Sequence, residues 1–378
     1  MVDPAGLFTP FQLRSATLRN RIVMAPMTRN FAPTGVPGPE IAAYYRRRAE
    51  HGVGLIITEG TWVPHPGAAG YPDIPRFYGE DALAGWTAVA REVHAVGGCI
   101  MPQLWHVGLC QQAPRGKEGA EPPPVPPGRV GPSGIAGGLG VPIRKAAEPM
   151  TLADIEAVID AFATAAKSAC DLGFDGVELH GAHGYIIDQF LWHRTNLRTD
   201  AYGGSFENRA RFAADIIREI RRRTRPDFPI VLRYSQWKLH DYGARLADTP
   251  QELERLLKPI VDAGVDLFDC SQRRFWEPAF EGSDLNLAGW TKKLTGKPTM
   301  TVGSISLDRE FMSSMFGTER RANIAGIDRL VEMFDRGDFD LVGVGRALIS
   351  DPEWVEKVRS RRISELRPYT PELLRELV

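Results

Sequence analysis

The sequence predicts a (β/α)8 barrel. Three observations carry that prediction: eight short runs rich in Val, Ile and Leu, helix signals between them, and an unsuitable first turn for the main alternative. A doubly wound open sheet usually carries a glycine-rich turn after its first strand, and Ala25-Pro26-Met27-Thr28 is not one. The candidate strands lie at about 22–25, 53–58, 99–105, 174–180, 229–235, 265–270, 298–302 and 340–344. Their nearly continuous apolar character is that of parallel strands buried on both faces.

The connections follow in chain order. After the third strand, residues 108–150 hold PPPVPP, GPSG and GGLG, which no barrel helix tolerates, so an elaborated loop is expected at the carboxyl end of that strand. From Thr151, the residues Leu152, Ile155, Val158, Ile159, Phe162, Ala165, Ala166 and Ala169 share one helical face. Thr151 is placed to cap that helix, Asp154 stands three residues on, and Gly173 follows its end. Thr249-Pro250-Gln251-Glu252 combines a capping threonine, a proline at the first helical position and a glutamate at the third. Asp351-Pro352 repeats the cap-then-proline pattern. An irregular stretch is expected over 271–297 and an irregular tail over about 360–378, all within one barrel domain spanning 1–378.

Composition excludes several classes. The 378 residues carry 46 basic and 47 acidic side chains, a net charge of −1, which gives no broad attraction to nucleic acid or anionic membranes. No run of eighteen apolar residues occurs, and the first twenty residues lack a basic start followed by an apolar stretch, so cytoplasmic residence is expected. Cys99, Cys110, Cys170 and Cys270 are scattered, without the C-x-x-C pairs of zinc or redox sites.

Barrel chemistry sits at the carboxyl ends of the strands. Gly303-Ser304 and Gly345-Arg346 end strands seven and eight, where such barrels build phosphate sites: glycine admits backbone N–H groups close to the oxygens, and arginine adds charge-assisted bonds. His180, His183 and Tyr185 cluster at the end of strand four. Two readings stand for them. Imidazole N–H groups donate to a developing oxyanion while the phenol delivers a proton; alternatively, the histidines ligate a metal with His106 as a third ligand.

Asn20–Arg29, with its Met24-Ala25-Pro26-Met27-Thr28 core, resembles the opening strand of the old yellow enzyme family of flavin-dependent ene-reductases. So do the runs from Gly173 to Tyr185, onward through Leu191, and from Asn196 to Arg209 (NLRTDAYGGSFENR). The resemblance extends in order from about residue 6 to about 358. It implies a (β/α)8 barrel holding FMN non-covalently, with no metal. Ala25, Pro26, Met27 and Thr28 would lie along the flavin, Gly60 would let the ring lie against backbone, and Gln103 would bond the pyrimidine. Arg233 would stand where reduction places negative charge, and Gly303, Ser304, Gly345 and Arg346 would hold the ribityl phosphate. The implied activity is a ping-pong relay: NAD(P)H gives a hydride to the flavin, which passes it to the β-carbon of an α,β-unsaturated carbonyl compound. His180 and His183 would hold the carbonyl oxygen and Tyr185 would protonate the α-carbon. Implied partners are therefore the nicotinamide and a small enone-type substrate, with the chain a monomer or homo-oligomer.

The chain departs from the family pattern at four places. Leu109 stands where many members carry arginine, and Ser235-Gln236-Trp237-Lys238 is bulkier than the common turn. Arg273-Arg274-Phe275-Trp276 follows strand six, where a surface cation–π patch and a substrate role are equally open. The usual glycine- and tyrosine-bearing tail is replaced by a segment whose Tyr369 is at unmatched spacing.

Overall fold

Eight parallel strands close into a ring in chain order: β1 (Ile22–Met24), β2 (Leu55–Trp62), β3 (Cys99–Trp105), β4 (Val177–His183), β5 (Ile230–Lys238), β6 (Leu267–Ser271), β7 (Thr299–Val302) and β8 (Leu341–Val344). The structure is a computed structural model, and it describes residues 2–112 and 124–378. Each strand overlaps a run predicted from the sequence. The ring shuts between β8 and β1, where Ala25 N donates to Val344 O at 2.9 Å. β2, β4 and β5 run further toward the carboxyl mouth than the apolar runs suggest. These extensions bring in polar, glycine and tryptophan residues, and β2 and β5 each carry a register shift there.

Helices α1 (Pro39–Glu50), α2 (Glu80–His94), α3 (Leu152–Asp171), α4 (Ile186–Leu191), α5 (Phe206–Arg223), α6 (Pro250–Asp262), α7 (Leu287–Thr295), α8 (Phe311–Phe316) and α9 (Ile327–Asp335) connect the strands, and α10 (Arg346–Ser350) and α11 (Trp354–Arg359) follow β8. Both capping boxes form as the sequence predicts, Thr151 with Asp154 on α3 and Thr249 with Glu252 on α6, and Gly173 takes a φ of 81° after α3. None of these helices is long and apolar enough to cross a membrane, among the described residues.

Five features differ from expectation. A hairpin, Phe11–Leu13 against Ala16–Leu18, precedes the barrel, and its Leu13, Ala16 and Leu18 pack with Val23, Leu55, Met101, Val231, Leu267 and Leu341 to floor the amino-terminal end. The stretch 271–297 is not wholly irregular: α7 forms inside it, capped by Asn286 and stopped by Gly296 at φ 66°. The long loop after β3 builds a three-stranded sheet of its own from Cys110–Gln112, Ile135–Leu139 and Val141–Lys145; Pro122 and Pro123 of its proline run lie outside the described residues. The tail turns twice as short 3-10 segments, Ile363–Glu365 and Pro371–Arg375, and buries Tyr369 fully. Asp351 caps less directly than its sequence suggests: α11 begins at Trp354, and Asp351 Oδ1 accepts from Glu353 N at 3.2 Å and from Lys357 Nζ at 3.0 Å.

Candidate active site

A cavity of about 830 Å3 opens among the loops at the carboxyl ends of the strands, the usual place for a barrel site and the usual size for a small-molecule one. Its wall includes Ala25, Pro26, Met27 and Thr28 after β1, Gln103 from β3, Arg233 from β5, and Gly303, Ser304, Gly345 and Arg346 after β7 and β8. His180, His183 and Tyr185 reach it from β4 and the start of α4. Gly60 stands apart from this group. It is buried behind Trp105, whose ring atom Cε3 a Cβ there would meet at 2.4 Å, so its lack of a side chain serves the close packing of β2 on β3. Trp105 lines the cavity wall, and Gly60 does not.

The imidazoles are held in a strained turn. His183 has φ 66° and Gly184 φ 93°, a left-handed pair that costs a non-glycine residue something to adopt. Side chains on three sides fasten it. His183 N donates to Ser235 Oγ (3.1 Å), Gly184 N donates to Asp188 Oδ2 (2.6 Å), and Gln189 Nε2 donates to Gly184 O (2.8 Å). Asp188 is in turn paired with Lys238 at 2.8 Å, both side chains fully buried. Burial pushes the Asp188 carboxyl up to about 6 and the Lys238 ammonium down from its ordinary value. The Ser235-Gln236-Trp237-Lys238 segment therefore acts on the site from beneath it: Lys238 braces Asp188, Ser235 anchors the turn, and Trp237 stacks on the His183 ring at 4.2 Å.

Burial, with the Arg233 guanidinium close by, holds the pKa of both His180 and His183 well below the usual imidazole range, so both rings are neutral. His183 Nε2 and Ser271 Oγ hydrogen-bond at 2.9 Å, and Arg233 Nη2 donates to the same Oγ at 3.4 Å. A serine hydroxyl has one proton and two lone pairs. It accepts from Arg233, and when His183 carries its proton on Nδ1 it donates to His183 Nε2. His180 Nδ1 is buried without a hydrogen-bond partner among the described residues. Tyr185 packs edge-on to His180 at 4.8 Å and to Trp105 at 4.8 Å. Burial raises its pKa above the ordinary phenol range, so the hydroxyl keeps its proton.

Beneath the cavity, Gln103 Nε2 donates to Glu178 Oε1 at 2.8 Å, and Arg233 Nε stands 3.2 Å from Asp269 Oδ2 without hydrogen-bond alignment. Burial and the neighbouring Asp269 charge push the Glu178 carboxyl well up, so this acid is held protonated. At the far end, Gly303 has φ 141°, and a Cβ there would meet Gln272 O at 2.4 Å. Ser304 follows at φ 51°. Its Oγ lies 3.0 Å from Arg273 O and 3.1 Å from Arg309 O, so the hydroxyl ties the loops after β6 and β7, and what remains for an anion is the backbone. Arg346 donates to Arg309 O (2.6 Å), Glu310 O (3.2 Å) and Ser314 Oγ (2.5 Å), which fixes the guanidinium and leaves part of its five-donor fork over.

His106, weighed as a third metal ligand, is fully buried away from the cavity: its Nδ1 accepts from Gly108 N at 3.0 Å and its Nε2 meets His65 Nδ1 at 2.9 Å. Several cavity residues had no signal in the sequence. Tyr71, Trp105, Trp237, Tyr242 and Ser271 come from separate segments, and only the Trp237 segment was marked, by its bulk. Arg273 lines the cavity with its guanidinium 4.5 Å from the Tyr242 ring centre, whereas Arg274 pairs with Glu277 at 2.8 Å. Tyr369 and Leu374 bring the tail onto the wall, held there by Arg29 Nη2 donating to Glu376 O at 2.6 Å.

The donor set fits an FMN. At one end the wall residues His180 and Arg233 hold buried nitrogens without hydrogen-bond partners among the described residues, glycine backbone and a fixed guanidinium form the other end, and the volume accommodates a tricyclic ring.

Comparison with known proteins places this barrel among FMN-dependent oxidoreductases. The chain belongs to the old yellow enzyme family: a profile of the NADH:flavin oxidoreductase / NADH oxidase family matches residues 6–365. It is 36% identical over 372 residues to an NADH oxidase of Thermoanaerobacter brockii, covering 96% of this chain and 52% of that protein, about half its length. To 12-oxophytodienoate reductase 7 of Oryza sativa subsp. japonica it is 33% identical over 94% of this chain and 88% of the relative. Among solved structures, morphinone reductase in complex with tetrahydroNAD superimposes with a TM-score of 0.77 at 28% identity, over 98% of this chain and 94% of that one. The old yellow enzyme homologue from Zymomonas mobilis gives a TM-score of 0.75 at 25% identity, over 98% and 96%.

Proposed function

We propose that the protein is an NAD(P)H-dependent ene-reductase acting on the activated C=C bond of α,β-unsaturated carbonyl compounds. One observation carries this reading: two neutral imidazoles and a protonated tyrosine converge on one wall of a cavity whose opposite end suits a phosphate. Relatives named 12-oxophytodienoate reductase and morphinone reductase support the reductase chemistry.

Bound FMN supplies hydride transfer, from the nicotinamide to the substrate β-carbon. Ala25, Pro26, Met27, Thr28, Gln103 and Arg233 would hold its ring, and the Gly303–Ser304 and Gly345–Arg346 turns its phosphate. The chain's own part is electrostatic and acid–base. His180 and His183 donate N–H bonds to the carbonyl oxygen as it gains charge, each such donor being worth roughly 2.7–4 kcal/mol in comparable oxyanion sites. Neutral rings suit this role, since an N–H donor already fixed by Ser271 needs no reorganisation. Tyr185 delivers its proton to the α-carbon. Arg233 contributes a fixed positive charge at the pyrimidine end. Reductant and enone occupy the same mouth in turn, so ping-pong kinetics follows.

Purified protein is expected to be yellow, with absorption at about 450 nm. In stopped flow it is reduced by NADH or NADPH and reoxidised by an enone such as cyclohexenone. Preparations that bind FMN yet are not reoxidised by any of a small panel of enones, maleimides and nitro-olefins would overturn the substrate class. Failure to bind FMN would overturn the cofactor assignment.

A further inference from the structure

A buried phenol that gives up its proton must recover one, and the fold provides a neighbour for it. Tyr185 is 7% exposed, and its Oη lies 3.3 Å from Tyr71 Oη, its one hydrogen-bond partner among the described residues. Tyr71 belongs to the loop between β2 and α2 and lines the same cavity half-buried. Its ring is held by aromatic contacts. It stacks on Trp105 at 5.3 Å with planes 21° apart and on Trp62 at 6.4 Å with planes 17° apart, while Tyr185 meets it edge-on at 90°. The hydroxyl position is therefore set by packing, as a group that must meet another within hydrogen-bond distance requires. Cys110 Sγ lies 3.9 Å from the Tyr71 hydroxyl. Burial raises the pKa of both phenols above the ordinary range, so both rest protonated and each is able to donate.

We propose that Tyr71 and Tyr185 form a two-hydroxyl proton-delivery pair, with Tyr71 donating to Tyr185 as Tyr185 protonates the substrate. The inference rests on the reading of Tyr185 as the proton donor. The step balances. The Tyr185 O–H bond breaks as the bond from hydrogen to the α-carbon forms, using the electron pair that hydride addition leaves on the enolate. The pair left on the Tyr185 oxygen takes the proton of the Tyr71 O–H, and water at the cavity mouth returns a proton to Tyr71. Nothing is oxidised or reduced in this sequence beyond the hydride transfer itself. Tyr71 acts through Tyr185 and is a positioning and relay residue. Its hydroxyl bond grows stronger as its partner becomes anionic, which concentrates its effect in the transition state.

The test uses holoenzyme carrying Tyr71→Phe, which keeps the stack on Trp105 and removes only the hydroxyl. Reoxidation by cyclohexenone is expected to slow about 10- to 100-fold, the range for losing a hydrogen bond to a developing charge, while reduction by NAD(P)H stays within about twofold. A proton inventory in mixed H2O and D2O supplies a readout that packing does not move. Wild type is expected to give a curved, two-proton dependence for reoxidation, and Tyr71→Phe a linear one. Equal rates with an unchanged inventory would overturn the pair, and so would a linear inventory in the wild type, which can be measured even if the variant fails to load flavin. Tyr185→Phe separates the two claims. If it leaves reoxidation untouched, the donor assignment fails first; if it slows reoxidation while Tyr71→Phe does not, only the relay fails.

Discussion

Asp266, just before β6, and Asp269, in the middle of that strand, stand three residues apart, and the protein treats them oppositely. Asp266, at the floored end, accepts from Arg14 Nε (2.6 Å), Arg221 Nη2 (2.7 Å) and Ile230 N (2.9 Å). Asp269, under the cavity, is fully buried, with the Arg233 guanidinium 3.2 Å away but unaligned and the Glu178 carboxyl as its other polar neighbour. The floor around Asp266 is closed by the apolar hairpin and satisfies its polar groups, which is what a region serving stability does. The mouth leaves donors and acceptors open and holds His183 and Ser304 in left-handed backbone, which is what a region awaiting a ligand does. One sheet thus divides its labour along the strand direction.

Substitutions can break this division or sharpen it. The largest effect is expected for Lys238→Ala, which leaves Asp188 buried without its partner: a loss of about 4 kcal/mol in chemical denaturation. A loss under about 1 kcal/mol would mean that the pair is no brace for the turn. Next comes Leu18→Ala in the floor, expected to cost about 3 kcal/mol while FMN content and enone reoxidation per folded molecule stay unchanged. Altered reoxidation there would show that the two ends are not separable. His183→Ala is expected to act the other way, raising the enone KM about tenfold, some 1–2 kcal/mol, with little effect on flavin reduction. Unchanged affinity would remove His183 from the oxygen site.

The smallest effect is one of pH. Glu59 is fully buried within β2, where its Oε2 accepts from Arg29 N at 2.9 Å, and burial pushes its carboxyl up from 4.5 to about 7. The native state therefore holds this proton more tightly than the unfolded chain does. The resulting stabilisation is complete below about 4.5 and is lost as pH rises through about 7. Glu59→Gln keeps an acceptor for Arg29 N but has no proton to lose. Its stability relative to wild type should rise across that window, and parallel pH curves would refute the shift.

Legibility in the sequence followed the kind of information each feature uses. The barrel strands were legible because burial on both faces writes a continuous apolar run. Both capping boxes were legible because a cap is local, needing only Thr151 and Asp154, or Thr249 and Glu252. The same logic would have found α7, since Asn286 and Gly296 bracket it as cap and stop; the surrounding Gly, Ser and Pro residues masked them. The floor hairpin was harder, with three-residue strands around Arg14-Ser15 and no Asn-Gly turn to announce it. In the candidate site, motif residues on single strands were legible, whereas Tyr71, Ser271 and Tyr242 arrive from separate segments and carry no shared pattern.

Order along the chain therefore settled the architecture, the strand count, the position of the mouth and the family, because periodicity, caps and contiguous motifs are properties of neighbours in sequence. Packing in three dimensions settled the rest: that Gly60 backs Trp105, that the Ser304 hydroxyl joins two loops, that Lys238 braces the His183 turn and that Tyr71 meets Tyr185. These are relations between side chains far apart in the chain, and their energies exist only once closing the barrel has brought the chain segments together and excluded water between them.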